Sequence, residues 1–139
     1  MVERTEPKRR VDFFVAMIPP TTTFQSKQMT VVGGKPRMFD SPELKAVRLR
    51  LLAEVAPYAP ARPLTGAVQL VTKWCWPADG KRGAGGYKAT KPDTDNLIKA
   101  LKDAMTKAGY WHDDAQVASE VTEKFWADVP GIYVMVREL

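Results

Sequence analysis

The run Lys91-Pro92-Asp93-Thr94-Asp95-Asn96-Leu97-Ile98-Lys99, and after it Trp111-His112-Asp113-Asp114-Ala115-Gln116-Val117, set four carboxylates and a lysine about one apolar helix. Asp93 and Asp95 stand two apart where extended chain gives way to helix. In an extended stretch such a pair projects to one side, so both carboxylates can face one ion. Hard divalent cations such as Mg²⁺ favour carboxylate oxygens and keep positions open for water and phosphate. Asp113 and Asp114 offer a second source of ligands. In a chain of net charge +5, such a cluster suits a divalent ion held against a phosphate backbone.

The same residues have plainer uses. Aspartates at a helix start cap it and favour its dipole, and Asp95 with Lys99 forms an i,i+4 surface pair. Asp113-Asp114 can be a solvated turn. Geometry narrows the choice without closing it. A helix over residues 94–108 is roughly 20 Å long at 1.5 Å per residue, and six extended residues from Ala108 to Asp114 reach about as far. Asp114 therefore returns along the helix, or a second subunit completes the site. Lys99 and Lys102 share the polar side of this helix. Beside a phosphate, Lys99 would offset developing charge; otherwise it solvates the helix.

Other metal and nucleophile patterns fail. An EF-hand needs an oxygen ligand where Leu97 stands, glycine at Ile98 and an acid at Ala104. Cys75 and His112 are alone of their types, so no zinc set exists. His112 reads as a loop residue and Cys75 as a small strand side chain. The loop over residues 79–89 is rich in glycine and cations but lacks Walker spacing. It reads as a flexible basic arm in which Lys81, Arg82, Lys88 and Lys91 meet phosphates, or as a solvated hairpin loop.

The elements that must position these residues follow from patterning. A chain of 139 residues with 45% hydrophobic content suits one domain with a real core. No stretch approaches the ~20 apolar residues of a membrane span, and the charged start is a poor signal peptide, so a soluble cytoplasmic protein is expected. A single cysteine excludes an internal disulfide. Residues 11–18 read as a buried strand stopped by Pro19-Pro20, and residues 30–39 as a hairpin turning at Gly33-Gly34. Ser41-Pro42 caps a helix with Leu44, Val47, Leu51 and Val55 inward, ending before Pro57. Residues 65–76 alternate, with Val68, Leu70, Trp74 and Trp76 on one side. The second helix turns Leu97, Leu101, Ala104, Met105 and Ala108 inward and stops at Gly109. Trp111 is expected to pack the acidic loop against it. Residues 116–126 and 132–137 are expected to form a final strand pair. The predicted class is α+β, a mixed sheet with two main helices on one face.

The segments 91–100, 103–111 and 113–117 resemble the signature of RusA-type Holliday-junction resolvases, small enzymes of bacteria, prophages and phages. The close likeness runs from Lys91 to Lys124. It implies a RusA-like endodeoxyribonuclease domain over residues 1–139, with residues 1–10 a flexible basic tail. It also implies a homodimer that nicks four-way DNA junctions in symmetrical pairs, using Mg²⁺ (with Mn²⁺ as substitute) and leaving 5′-phosphate and 3′-hydroxyl ends. By position, the catalytic residues fall on Asp93, Asp95, Asp114 and Lys99, and the metal ligands on Asp93, Asp95, Asp114 and Asp113, the last in a supporting role. Branched DNA would be held by Lys35, Arg37, Lys81, Arg82, Lys88, Lys91 and Lys102, with no membrane and no small-molecule cofactor. The host would be a bacterial or phage-infected cell. Thr21-Thr22-Thr23 departs from the family pattern, and the hairpin with Lys35-Pro36-Arg37 is nearer phage members. The rival readings are a branched-DNA-binding phage accessory without chemistry, a nuclease for flaps, forks or packaging intermediates, and a structural protein whose aspartates only cap a helix.

Overall fold

Alternation along β4 (Val68–Pro77) puts Val68, Leu70, Thr72, Trp74 and Trp76 on one buried face, and the rest of the architecture is arranged around it. The computed structural model describes residues 6–21 and 27–139; of the three threonines, Thr22 and Thr23 lie outside these. The other elements are β1 (Arg10–Val15), β2 (Lys27–Val32), β3 (Lys35–Asp40), α1 (Pro42–Val55), α2 (Thr94–Ala108), β5 (Val117–Ala127) and β6 (Gly131–Glu138). The main sheet has the order β1-β6-β4-β5 and is mixed: β6 runs antiparallel to both β1 and β4, and β5 runs parallel to β4. β2 and β3 form a separate two-stranded hairpin, turning at Gly33-Gly34 as predicted.

Both helices begin and end where the local sequence says. The Ser41 hydroxyl accepts from the Leu44 amide at 3.1 Å, and Leu44, Leu51 and Val55 are buried. α2 buries Leu97, Ile98, Ala100, Leu101, Ala104 and Met105, with Ala108 only half-buried. Gly109, at φ 90°, closes α2 by donating its amide to the Met105 and Thr106 carbonyls; a Cβ is disfavoured at that angle. Burying Leu97, Leu101 or Met105 is worth about 1.5–3 kcal/mol each, against a few tenths for a surface pair. Packing, not surface pairing, therefore fixes the helix on the sheet. One core joins the two helices to the inner face of β1, β6 and β4, an α+β sandwich.

The expected final strand pair does not form. β5 and β6 are consecutive but not hydrogen-bonded neighbours, because β4 lies between them. Strands two places apart are about 9.6 Å from each other at the usual ~4.8 Å spacing. The residues from Ala127 to Gly131 span that when extended, at ~3.3 Å per residue. A short link thus steps over β4 instead of turning a hairpin.

The glycine-rich loop is not a free arm either. It is laid along the outer edge of β5, where the Gly85 amide donates to the Trp126 carbonyl, the Trp126 amide to Gly86 and the Lys88 amide to Lys124. An edge strand leaves a row of backbone groups needing partners, and this loop supplies them. Of the expected basic tail, residues 1–5 lie outside the described residues. Arg9 is tied down through its amide and guanidinium to the Glu138 carboxylate, and Arg10 opens β1. No helix among the described residues is long and apolar enough to cross a membrane.

Candidate functional site

The N-terminal half of α2 forms one wall of a cavity of about 360 Å³, lined by Thr94, Asp95, Ile98, Lys99 and Lys102. Asp114, from the short turn before β5, and Glu120 and Thr122 of β5 complete the lining. Asp95 and Asp114, distant in sequence, thus meet across one polar space. Asp114 completes the return along the helix within a single chain.

That return is built by buried aromatic residues. After Gly109, Tyr110 donates its hydroxyl to the Val55 carbonyl at 2.6 Å. Trp111 donates its indole N–H to the Thr106 hydroxyl at 2.7 Å and is 2% exposed, so it packs the acidic loop against α2 as expected. Burial pushes the Tyr110 hydroxyl well above its ordinary pKa, so it stays a donor. Asp113 then caps the short 3-10 turn at Asp114–Gln116 by accepting from the Ala115 amide at 2.8 Å. The Gln116 side chain accepts from the His112 and Asp113 amides and donates to the Leu64 and Gly66 carbonyls. The loop carrying Asp114 is therefore clamped from both sides.

The other predicted carboxylates are placed differently. Asp113 lines a neighbouring cavity with Arg48, Asp103 and His112, and Asp114 sits on the wall of both. Asp93 occupies the N-cap position in extended conformation, yet its side chain makes no capping hydrogen bond. It is not among the residues lining the cavity that holds Asp95. The same-side argument requires extended chain through both residues, and the helix already starts at Thr94. Among the described residues, no group of three or more His, Cys, Asp or Glu side chains is gathered closely enough to hold a metal ion. Asp95 and Asp114 on an open polar cavity, beside a Glu120 already paired with Lys102, nevertheless suit Mg²⁺, which is commonly held by one or two carboxylates with waters and substrate phosphates completing its shell.

The cations divide into two groups. Lys99 and Lys102 face the cavity; Lys102 is held 3.1 Å from Glu120 across it, and Lys99 lies 4.0 Å from Asp103. Lys35, Arg37, Lys81, Arg82 and Lys91 are exposed. Lys88 departs from the expected phosphate contact: it is 9% exposed, with its ammonium 4.3 Å from the Trp126 ring centre and bonded to the Thr90 hydroxyl. Burial, with Lys124 and Arg82 close by, pushes its pKa down. Two tryptophans form this seat because Trp76 and Trp126 are paired in register on β4 and β5. Glu120, Thr122 and Gln116 were not foreseen as site residues. Only Gln116 carried a local signal, the Asp-x-x-Gln spacing of a capping box.

The family model described as Endodeoxyribonuclease RusA matches residues 17–137. An uncharacterised protein of Bacillus subtilis strain 168, YqaN, is 28% identical over 121 residues, covering 79% of this chain and 84% of its own length. The crossover junction endodeoxyribonuclease rusA of Lactococcus phage r1t is 52% identical over 31 residues, covering 22% of this chain. The RusA enzyme of Escherichia coli K12 is 72% identical over 25 residues, covering 18% of this chain. These last two matches span 24% and 21% of the relatives' own lengths.

Proposed function

Since this chain belongs to the RusA endodeoxyribonuclease family, we propose that it is a Mg²⁺-dependent, structure-specific endodeoxyribonuclease that resolves four-way Holliday junctions by paired symmetrical nicking as a homodimer. The observation that carries this reading is the meeting of Asp95 and Asp114 on one cavity with Lys99 and Lys102. A carboxylate pair with adjacent ammonium groups is what phosphodiester hydrolysis needs, since one holds a divalent ion and the other meets phosphate charge.

Asp95 and Asp114 would hold the ion, with Asp93 at the helix entrance as the third carboxylate that the family resemblance assigns. When bound, a divalent ion lowers the pKa of water and shields the phosphate for in-line attack. Lys99 offsets charge gathering on the phosphate oxygens as the P–O3′ bond breaks, leaving a 5′-phosphate and a 3′-hydroxyl. Lys102, oriented by Glu120, holds the backbone phosphate at the cavity mouth. Exposed Lys35, Arg37, Lys81, Arg82 and Lys91 bind the arms by charge and shape rather than by base. Two such sites related by a two-fold axis match the pseudo-two-fold junction.

The test incubates the purified protein with a labelled four-way junction or linear duplex, in Mg²⁺ or EDTA, beside Asp95→Asn. Paired, Mg²⁺-dependent nicks in the junction alone are expected, with Asp95→Asn binding the junction but not cutting it. Binding without nicking by the unaltered protein would make it a non-catalytic branched-DNA module. Nicks confined to flaps or forks would move the substrate.

A further inference from the structure

The acidic motif is entered through a short bend, residues 90–92, that belongs to neither β4 nor α2, and one side chain from β5 holds it. The Lys124 ammonium donates to the Thr90 carbonyl at 2.6 Å and to the Pro92 carbonyl at 2.8 Å. The carbonyl carbon of Pro92 is bonded to the amide nitrogen of Asp93, so the second bond fixes the peptide plane from which Asp93 and the first turn of α2 depart. Pro92 itself is buried. Lys88 also holds Thr90, through its hydroxyl, and Lys124 adds the bond to the Pro92 carbonyl inside the motif. Among the described residues Lys124 has no carboxylate partner, and its backbone carbonyl accepts from the Lys88 amide. Its alternation on β5 with Glu120 and Thr122, which line the cavity, places it on the same side of the strand.

We propose that Lys124 is a positioning residue for the acidic motif: by bridging the Thr90 and Pro92 carbonyls it sets where Asp93 and Asp95 stand relative to Asp114. A lysine on an edge strand usually solvates it, but here the ammonium is spent on two carbonyls of one bend. Asp114 is fixed independently by the Gln116 clamp and the body of α2 by its buried face, so Lys124 is left to set the bend and the first turn, where Asp93 and Asp95 stand. This rests on the nuclease reading for its effect on rate, and on the bonds alone for its effect on the bend.

The test compares Lys124→Met, which keeps the stem and loses the donors, with Lys124→Arg, which retains donors, and with Lys73→Met on the exposed part of β4 as control. Hydrogen exchange over residues 88–97 is expected to quicken about ten-fold in Lys124→Met while β4 and β6 stay as they were. Junction affinity in EDTA is expected to stay within about two-fold, while kcat for nicking falls about 10–100-fold. The Mg²⁺ dissociation constant, measured by calorimetry without DNA, is expected to rise. Lys124→Arg should restore exchange, Mg²⁺ affinity and kcat together, and Lys73→Met should alter none. Unchanged exchange over 88–97 in Lys124→Met overturns the proposal, whatever the activity. Should Lys124→Met fail to fold, Lys124→Arg decides, since a folded arginine variant that keeps quick exchange over 88–97 also overturns it. If the unaltered protein nicks no junction while Lys124→Met still loosens the bend and weakens Mg²⁺ binding, the nuclease reading falls and the positioning role stands.

Discussion

Asp113 and Asp114 are neighbours in sequence and differ in surroundings: one accepts from the Ala115 amide, and the other faces Asp95 across the cavity. The difference separates their substitutions. Asparagine caps about as well as aspartate, so Asp113→Asn is expected to keep most junction cleavage. Asp113→Ala, which loses the cap at a cost of about 0.5–2 kcal/mol, should lower cleavage by loosening the turn. Asp114→Asn keeps the turn and removes a charge from the cavity, so cleavage should fall as far as in Asp95→Asn. Single-turnover nicking rates with thermal melts of each variant check this; equal losses in Asp113→Asn and Asp114→Asn would count against the division of roles. In the sequence, Asp95, Asp114 and Lys99 stand out by type and spacing, while helix length leaves open whether Asp114 returns within the chain or a second subunit supplies it. Glu120 and Thr122 do not stand out, because they reach the cavity only through the place of β5 in the sheet, which no local pattern encodes.

At the scale of elements, punctuation was the readable part. Ser41-Pro42 and Gly109 mark helix ends through backbone requirements that hold whatever the tertiary context. Strand neighbours answer to a different logic. The short link from Ala127 to Gly131 suits a hairpin as well as a step over β4, and β5 lacks the burial alternation that would have declared its face. Gly131 shows what the true arrangement demands. A Cβ there would collide with the Phe14 ring and stand 2.6 Å from the Val15 carbonyl oxygen; its φ is unremarkable, so the need is for space. Since Phe14 and Val15 pair with the start of β6, relief would require shifting the β1 backbone. Gly131→Ala is expected to destabilise by about 1–3 kcal/mol as overpacking, read as a lower denaturant midpoint at unchanged slope. An unchanged midpoint would mean that β1 yields freely.

For the whole molecule, one buried carboxylate joins segments from both ends of the sequence. Glu138 accepts from the Arg9 amide and guanidinium and from the Thr65 amide and hydroxyl. The Thr65 amide first, and Arg9 after it, hold its pKa at about 2 against an ordinary 4.5, although burial pushes the other way. The carboxylate takes up its proton more readily when unfolded, so its contribution is complete above about pH 4.5 and lost as pH falls towards 2. Glu138→Gln should cost about 1.5–3 kcal/mol at neutral pH and flatten stability against pH between those values, as followed by urea titrations across that range. An acid limb of unchanged slope would assign the acid sensitivity elsewhere.

The position of β6 has a consequence in time. It is made after every other described element, yet it belongs between β1 and β4. While the ribosome is still adding residues before 131, β1 has no strand to pair with, β4 lacks one neighbour, and Glu138 is not yet there to meet Arg9. The acidic motif and its cavity residues are already in the growing chain, but the sheet they rest on is incomplete. A chain of a nuclease family is thus kept without a finished scaffold until the last strand of its sheet is in place.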